Sequence, residues 1–229
     1  MPHDAMTSAV GSVTPRVALE LAAFAAVIVA DALGVVPITL TIGLLPVVWL
    51  SLRLAREPWP SVGLSLPPRL LRAVAIGATA GVAMESLAVF GTTPWISHLF
   101  GSDPDYSDLA FIQGNLTYLL VFLALNWTLA AFGEEICWRG FLMQRVARLL
   151  GGGGAAWTLS LFLVSPLFGW VHSEQGVADA VQESLSGLLL GVLFLVSGRN
   201  LAVPIVAHGV SNTVAFVLIY LGRYPGLDA

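Results

Sequence analysis

Residues 115–140 read NLTYLLVFLALNWTLAAFGEEICWRG, a long apolar run that ends in two adjacent carboxylates and an arginine. The run is long enough to enter a bilayer as a helix, so Glu134, Glu135 and Arg139 are expected within or beside the membrane. Charged side chains at that depth are costly, and they are usually kept for a task with a partner nearby. This stretch therefore predicts a membrane helix that carries part of a buried polar site.

The composition is that of an integral membrane protein. Of the 229 residues, 57% are hydrophobic and only 10% are charged, and the mean hydropathy is +0.85. A soluble domain has about a quarter of its residues charged. The chain has one cysteine, Cys137, which excludes an intramolecular disulfide. Its basic residues form no dense cluster, so a nucleic-acid partner has no support.

Apolar stretches separated by polar turns predict an all-α, polytopic bundle of about seven spans. We expect a short polar tail over residues 1–15 and a single membrane-embedded helical domain over residues 16–229, with its motif-bearing core at about 115–221. The first two spans should meet near Gly34 and Pro37. If the spans alternate, the arginine-rich segments share one side, which the positive-inside rule makes cytoplasmic. We therefore expect a protein of a bacterial cytoplasmic membrane.

Several other residues receive structural interpretations. Glu20, Asp31 and Glu85 lie in or beside the early spans and are interpreted as interfacial or packing polar groups. Gly187 and Gly191 have the spacing that permits close contact between membrane helices, here expected within the chain.

Two more apolar segments carry isolated polar side chains, His172 on one and His208 with Asn212 on the other. On an α-helix, His208 and Asn212 share a face. Glu134 lies about eighteen residues before the glycine turn at 151–154, and His172 lies about nineteen after it. An antiparallel helix pair would bring both to a similar height. We therefore expect these four side chains to line one pocket that opens toward the cytoplasmic side.

The chemistry of these residue types is that of a hydrolytic site. Glu135 and Arg139 are one helical turn apart and predict a structural ion pair, which leaves Glu134 free. A buried carboxylate beside a histidine can hold and deprotonate a water. A second histidine and an amide can stabilise the oxyanion of a tetrahedral intermediate. Alternatively, Glu134, His172 and His208 form an adequate set of three metal ligands.

Three motifs in order resemble those of the CAAX-protease and bacteriocin-processing (CPBP, or Abi) family of membrane proteases. They are Glu134-Glu135-x-x-x-Arg139, Phe168-x-x-x-His172 and His208-x-x-x-Asn212. The resemblance covers roughly residues 115–221. It implies an intramembrane endopeptidase, from a family best known for removing the last three residues of prenylated CAAX proteins.

The resemblance also implies a role for each motif residue. By position, Glu134 would activate water together with His172. His208 and Asn212 would form the oxyanion hole, and Glu135 with Arg139 would support the site. The partners implied are the lipid bilayer and a membrane-associated peptide or protein substrate.

The resemblance leaves the cofactor open. Members of the family are often labelled metalloproteases, although the similar glutamate–histidine site is also described as metal-independent. We favour a site without a cofactor, because a carboxylate that serves as the base is not free to act as a full metal ligand. Zn²⁺ is the alternative.

Two other classes of function remain open. A catalytically silent scaffold or bacteriocin-immunity protein on the CPBP fold would keep the bundle without needing Glu134. A proton-coupled transporter would also use intramembrane glutamate and histidine. Its expected marks, internal repeats and broken helices, are not visible in the sequence.

Overall fold

The computed structural model describes residues 3–36, 39–101, 103–173 and 176–227. Its α-helices are His3–Ala32 (α1), Leu40–Ala55 (α2), Leu70–Leu87 (α3), Thr93–Phe100 (α4), Leu116–Leu125 (α5), Met143–Leu149 (α6), Gly154–Trp170 (α7), Val177–Val196 (α8) and Ala202–Tyr220 (α9). Trp59–Val62 and Ser107–Ile112 are 3₁₀-helices, and Ala88–Thr92, Asn126–Glu134 and Ile136–Leu142 are π-helices. The described residues contain no β-strand, which confirms the all-α prediction.

Among the described residues, four helices are long and apolar enough to cross a membrane: Leu70–Phe100, Leu116–Leu149, Val177–Val196 and Ala202–Tyr220. The first two are continuous helices in which π-helical turns join α3 to α4 and α5 to α6. Helices α2 and α7 are apolar but have 16 and 17 residues, fewer than the ~20 of a full span. The chain is an integral membrane protein, and the count of about seven spans is not confirmed.

The N-terminal part differs from the expectation in one respect. Helix α1 begins at His3, so it includes most of the segment 1–15 that the sequence predicts to be a polar tail. The break between the first two helices is found where it is predicted. Helix α1 ends at Ala32, and Gly34 follows with a φ of +72° that favours glycine. Pro37 lies outside the described residues.

The Glu-Glu motif lies within the continuous helix Leu116–Leu149, which we call the motif helix. Around the motif this helix is π rather than α, and Glu135 separates the two π-helical segments. Such wider turns are rare and are frequently found at functional sites. The first of them is held against α9, because the Asn126 amide donates to the Gly209 carbonyl at 2.9 Å. The motif is thus placed by a helix whose repeat differs from the one assumed in reading the sequence.

Helix α9, which carries His208 and Asn212, packs closely on α3 through two glycines. A Cβ placed at Gly77 would lie 2.8 Å from the Val203 carbonyl oxygen, and one at Gly81 would lie 2.9 Å from Cβ of Val210. A larger residue at either position would push the helices apart, since small residues are what let membrane helices approach. The height of His208 and Asn212 in the bundle is therefore fixed by α3.

Helices α7 and α8 pack in a similar way. A Cβ at Gly187 would lie 3.2 Å from the Phe168 ring, and Gly191 contacts the Leu161 side chain. Both neighbours belong to the same chain, so the predicted use of these two glycines for packing within the chain is confirmed. This contact brings the segment with Phe168 and His172 next to α8.

At the arginine-rich end, an ion cluster ties α6 to the first two helices. The buried Arg145 guanidinium lies 2.6 Å from Glu20 and 3.0 Å from Glu57, and the Ser51 hydroxyl also donates to Glu20. Burial disfavours the charged form of Glu57. The hydrogen bond from Arg148 and the charges of Arg145 and Arg148 outweigh this and lower the Glu57 pKa. Glu20 is therefore a buried ion-pair partner that anchors the N-terminal helices.

Candidate active site

Glu135 is completely buried and joins the motif helix to α9. Its Oε1 accepts a hydrogen bond from Arg139 at 2.8 Å and lies 2.9 Å from Nδ1 of His208. The predicted Glu135–Arg139 ion pair is thus present. Since the carboxylate oxygen accepts, Nδ1 of His208 carries the proton and Nε2 is left free for another partner. Glu135 therefore sets the orientation of His208.

Arg139 connects the motif helix to two further helices. Its Nη2 donates to the Gly187 carbonyl of α8 at 3.2 Å, and its guanidinium lies 4.4 Å from the centre of the Phe168 ring on α7. Contacts of a guanidinium with an aromatic face gain strength when both groups are shielded from water. Only 2% of the Arg139 surface is exposed. One buried arginine thus holds the motif helix, α7 and α8 together at the level of the motif.

His172 and Glu134 form a second pair, next to the first. Nδ1 of His172 lies 2.7 Å from the Phe168 carbonyl, which can only accept, so this nitrogen carries the proton. Nε2 faces Glu134, 3.9 Å from its Oε2. This distance is too long for a direct hydrogen bond, and one bridging water can satisfy both groups. The matched heights that the sequence predicts for these two residues are observed.

His208 and Asn212 line a small cavity between α3, α8 and α9. The space open to water has a volume of about 40 Å³, enough for at least one water molecule. The lining residues are Met84, Glu85, Ala88, Tyr106, Gln182, Glu183, Ser186, Leu190, His208, Ser211, Asn212 and Tyr224. His208 and Asn212 therefore share a polar cavity, as their spacing predicts.

Glu134 and His172 are not among the residues that line this cavity. The four predicted side chains are instead brought together as two neighbouring pairs. Phe168 lies between them, with ring centres 4.5 Å from His172 and 6.5 Å from His208. Glu183 lines the cavity together with His208 and Asn212. The catalytic roles of the four residues remain predictions.

The structure adds polar residues that the sequence analysis did not single out or treated as packing groups. Glu85 accepts hydrogen bonds from Ser211 at 2.8 Å and from Tyr224 at 3.0 Å. Tyr106 donates to Asp179 at 2.5 Å. The carboxylates were detectable in principle, because acidic residues in apolar helices mark functional sites by default. No signal in a single sequence indicated the tyrosines, which come from loops far apart in the chain.

The cavity lies at the end of the bundle opposite to the arginine-rich segments. Its two loop residues, Tyr106 and Tyr224, belong to the segments that follow α4 and α9, where the acidic loop lies. None of its lining residues comes from the loop over residues 56–69 or from the turns at 150–153 and 197–201. The expected opening toward the arginine-rich, cytoplasmic side is therefore wrong. The error arose because arginine placement reports the orientation of a bundle and not the depth of a cavity within it.

A comparison with known protein families supports the resemblance found in the sequence. Residues 116–214 match the family described as type II CAAX prenyl endopeptidase Rce1-like. This part of the chain is similar to the Rce1-like family. All four predicted catalytic residues lie inside the matched region. No curated protein and no solved structure matches the chain.

The boundaries of the Rce1-like region divide the cavity wall in two. Glu183, His208 and Asn212 come from within the matched residues 116–214. Glu85, Tyr106 and Tyr224 come from outside them, although they line the same cavity. The part of the wall nearest the acidic loop is thus supplied by segments beyond the family match.

Because members of the resembled family are often labelled metalloproteases, we ask whether the residues of this site could hold a metal ion. Within the described ranges, no three histidine, cysteine, aspartate or glutamate side chains are arranged to hold a metal ion. Nδ1 of His172 is engaged by the Phe168 carbonyl and Nδ1 of His208 by Glu135. These contacts leave Nε2 of each histidine free, as in metal-ligating histidines, so what speaks against the set Glu134, His172 and His208 is only that the three side chains are not grouped closely. The mechanism below uses no metal, and the metal-free site stays a prediction.

Proposed function

We propose that this protein is an intramembrane endopeptidase that hydrolyses peptide bonds of membrane-associated substrates, in the manner of a CAAX-type prenyl protease. The observation that carries the proposal is the 3.9 Å approach of Glu134 to His172, next to a cavity lined by His208 and Asn212. The match of this region to the Rce1-like family supports it. We further propose a bacterial cytoplasmic membrane as its location, because the chain has no long loops and all its basic residues are arginines. The placement of the arginines makes one side cytoplasmic.

In the proposed mechanism, a water held between Glu134 and His172 is the nucleophile. Glu134 accepts one of its protons, and the water oxygen bonds to the carbonyl carbon of the substrate. The carbonyl oxygen becomes an oxyanion, to which Nε2 of His208 and the Asn212 amide donate hydrogen bonds. The bond between carbon and nitrogen then breaks, and the leaving amine takes the proton that Glu134 received. One water is consumed and two peptides are released.

The pairing of Glu135 with His208 fits this division of roles. An imidazole whose Nδ1–H donates to a carboxylate can donate from Nε2 as well only when it is doubly protonated. The proposed oxyanion role of His208 therefore uses the doubly protonated ring, with Nδ1 held 2.9 Å from the Glu135 carboxylate. Glu135 would then act on the oxyanion hole through His208, and not on the substrate.

The proposed activity can be tested with the purified protein in lipid vesicles. Two matched peptides would be supplied, one with a prenylated cysteine before the last three residues and the other without the prenyl group. Release of the C-terminal tripeptide, detected by mass spectrometry, is the expected result for the prenylated peptide. Cleavage of the unprenylated peptide alone would support the endopeptidase activity and contradict a prenylated CAAX protein as the substrate. A folded protein that cleaves neither of these nor a panel of membrane peptides would contradict the proposal and favour a silent scaffold.

Replacing Glu183, which no motif includes, is expected to slow the reaction. It lines the same cavity as His208 and Asn212, so Glu183→Gln removes a carboxylate from the wall beside the proposed oxyanion hole. We expect kcat to fall about tenfold, or about 1.4 kcal/mol of transition-state stabilisation. Ser186→Ala, a change at another residue that lines the cavity, is the matched control. Equal kcat values for the two variants would remove Glu183 from the site.

A metal requirement is tested by removal. We expect that protein stripped by a strong chelator keeps its activity and that elemental analysis finds less than one zinc per chain. A zinc site would need Glu134, His172 and His208 all within about 2.0–2.2 Å of the ion, whereas the water site needs only hydrogen-bond distances. One tightly bound zinc per chain, with activity lost on removal and restored by zinc, would show that the metal-free mechanism is wrong.

A further inference from the structure

The active-site cavity is too small for the substrate that the proposed function requires. A volume of about 40 Å³ holds water, whereas ligand pockets of ordinary size measure about 300–1,000 Å³. A peptide can reach His208 and Asn212 only if part of the wall moves. The question is therefore which part of the wall is able to move.

The helical parts of the wall are held in place by close packing. Gly77 and Gly81 let α9 lie directly on α3, and Gly169 and Gly187 do the same between α7 and α8. Closely packed helices of this kind cannot shift by small amounts without losing their contacts. The wall contributed by Tyr106 and Tyr224 is different, because neither residue belongs to one of the α-helices. Loops and chain ends are where opening costs least.

Two hydrogen bonds close this wall from opposite sides. The Tyr106 hydroxyl donates to Asp179 of α8 at 2.5 Å, and the Tyr224 hydroxyl donates to Glu85 of α3 at 3.0 Å. The two rings meet edge to face, with centres 5.3 Å apart. The pair thus spans the gap between α3 and α8, the two helices that flank the cavity.

Both phenols are suited to this contact. Burial raises the pKa of Tyr106, and the nearby Asp179 raises it further. Burial and then Glu85 raise the pKa of Tyr224 in the same way. Each phenol therefore keeps its proton and can donate to a carboxylate. Hydrogen bonds to a charged acceptor are the stronger kind, so the hydroxyls themselves hold the wall closed.

The two segments also hold each other. The Tyr106 amide donates to the Gly226 carbonyl and the Gly114 amide donates to the Tyr220 carbonyl, both at 2.9 Å. Ile112, Ile219 and Leu227 pack in a small apolar cluster of their own, separate from the main core. The two segments are therefore joined to each other and, through Ile219 and Tyr220, to the end of α9. Their contacts with α3 and α8 include the two tyrosine hydroxyls.

We propose that Tyr106 and Tyr224 form a gate through which the substrate enters the active-site cavity, from the face opposite to the arginine-rich loops. This inference rests on the proposed function, since only a peptide substrate requires the cavity to open. The gate opens when the two hydroxyls leave Asp179 and Glu85. Both tyrosines lie outside the residues that match the Rce1-like family. In this proposal, access of the substrate to the cavity is therefore controlled by residues that the family match does not include.

The test uses a cysteine inside the cavity and does not depend on proteolysis. Cys137, the only cysteine, is first replaced by alanine, and Ser186→Cys is then introduced as the reporter. The labelling rate with a small, membrane-impermeant thiol reagent is measured in oriented membranes, with and without Tyr106→Phe and Tyr224→Phe. We expect the double variant to be labelled about tenfold faster or more, since it loses two charge-assisted hydrogen bonds. The increase should appear only when the reagent is on the side opposite to the arginines.

Tyr118→Phe is the matched control, because this tyrosine lies at the same end and its ring contacts Phe111. It should leave the labelling rate unchanged. Helix content and elution of each variant are checked, and the single Tyr→Phe variants replace the double variant if that one does not fold. Equal rates with and without the tyrosine hydroxyls, including no labelling in either case, would overturn the gate. The endopeptidase proposal would survive that result, just as faster labelling of a protein without protease activity would support a gated cavity and contradict the protease.

Discussion

Glu134→Gln should yield a folded membrane protein that has lost most of its proteolytic activity. Glutamine keeps the size and the hydrogen-bonding oxygen of glutamate but cannot accept a proton from water. General base catalysis contributes ~10²–10⁴-fold to a rate, so we expect kcat to fall by that factor. Glu134 makes no ion pair with an arginine in the described part of the chain, so its loss should cost little stability. The measurement is the rate of peptide cleavage by equal amounts of purified protein.

The control for this prediction is the purified variant itself, compared with the natural protein in helix content and thermal unfolding. Asp108→Asn, the same kind of change at an exposed carboxylate, serves as a second control for the chemical change alone. A well-folded Glu134→Gln protein that cleaves peptides at the natural rate would overturn the assignment of the base. It would leave the similarity of residues 116–214 to the Rce1-like family unaffected.

Glu135→Gln is expected to act on stability. Glu135 is fully buried and one of its oxygens serves both Arg139 and His208. Removing its charge leaves Arg139 without an ionic partner in the membrane interior, and breaking a buried ion pair costs roughly 3–5 kcal/mol. We expect a lower yield of folded protein and a lower temperature of thermal unfolding in detergent.

Asp108→Asn, the same chemical change at an exposed carboxylate, is the control for this prediction. It should leave both quantities unchanged. If Glu135→Gln unfolds at the same temperature as Asp108→Asn, the Glu135–Arg139 pair does not hold the bundle together. The proposed division of roles, with Glu134 in catalysis and Glu135 in structural support, would then be wrong for Glu135.

The parts of the site that depend on local spacing could be predicted from the sequence. Glu135 and Arg139 pair because they are one turn apart, and the similar heights of Glu134 and His172 follow from counting residues on both sides of a glycine turn. Such inferences use only the rise and repeat of a helix. They tolerate moderate errors, since a long arginine side chain can still reach its partner when the helix is π rather than α.

The parts that depend on distant contacts could not be predicted. Tyr106 and Tyr224 meet because two loops on either side of the Rce1-like region fold against each other, and neither loop has a pattern that names its partner. Glu85 was assigned to packing because its partners Ser211 and Tyr224 are more than a hundred positions away. The end of the bundle at which the cavity lies could not be predicted either. It depends on which loops cover the ends of α3, α8 and α9, and this is not visible in the sequence.

The number of spans shows a different limit. Hydropathy locates apolar segments, but whether a helix of 16 or 17 residues, such as α2 or α7, crosses the membrane depends on its tilt and on the local bilayer. Helix α8 illustrates the opposite case. It is continuous over Val177–Val196, although Asp179 and Glu183 interrupt the apolar pattern of its first turns. Of these two residues, Glu183 lines the cavity and Asp179 accepts the hydrogen bond of Tyr106.

The π-helical turns before and after Glu135 carry a consequence for how such chains change over time. A π turn holds one residue more than an α turn, and each residue of an α-helix turns by about 100°. Deleting a single residue from positions 127–133 would therefore remove the extra residue of this first segment and rotate either Asn126 away from α9 or the glutamates away from their histidines. Every letter of the motif would survive. Loss of a single residue would thus leave a helix that still crosses the bilayer but no longer assembles this site. Two relatives with identical motifs therefore need not share an activity.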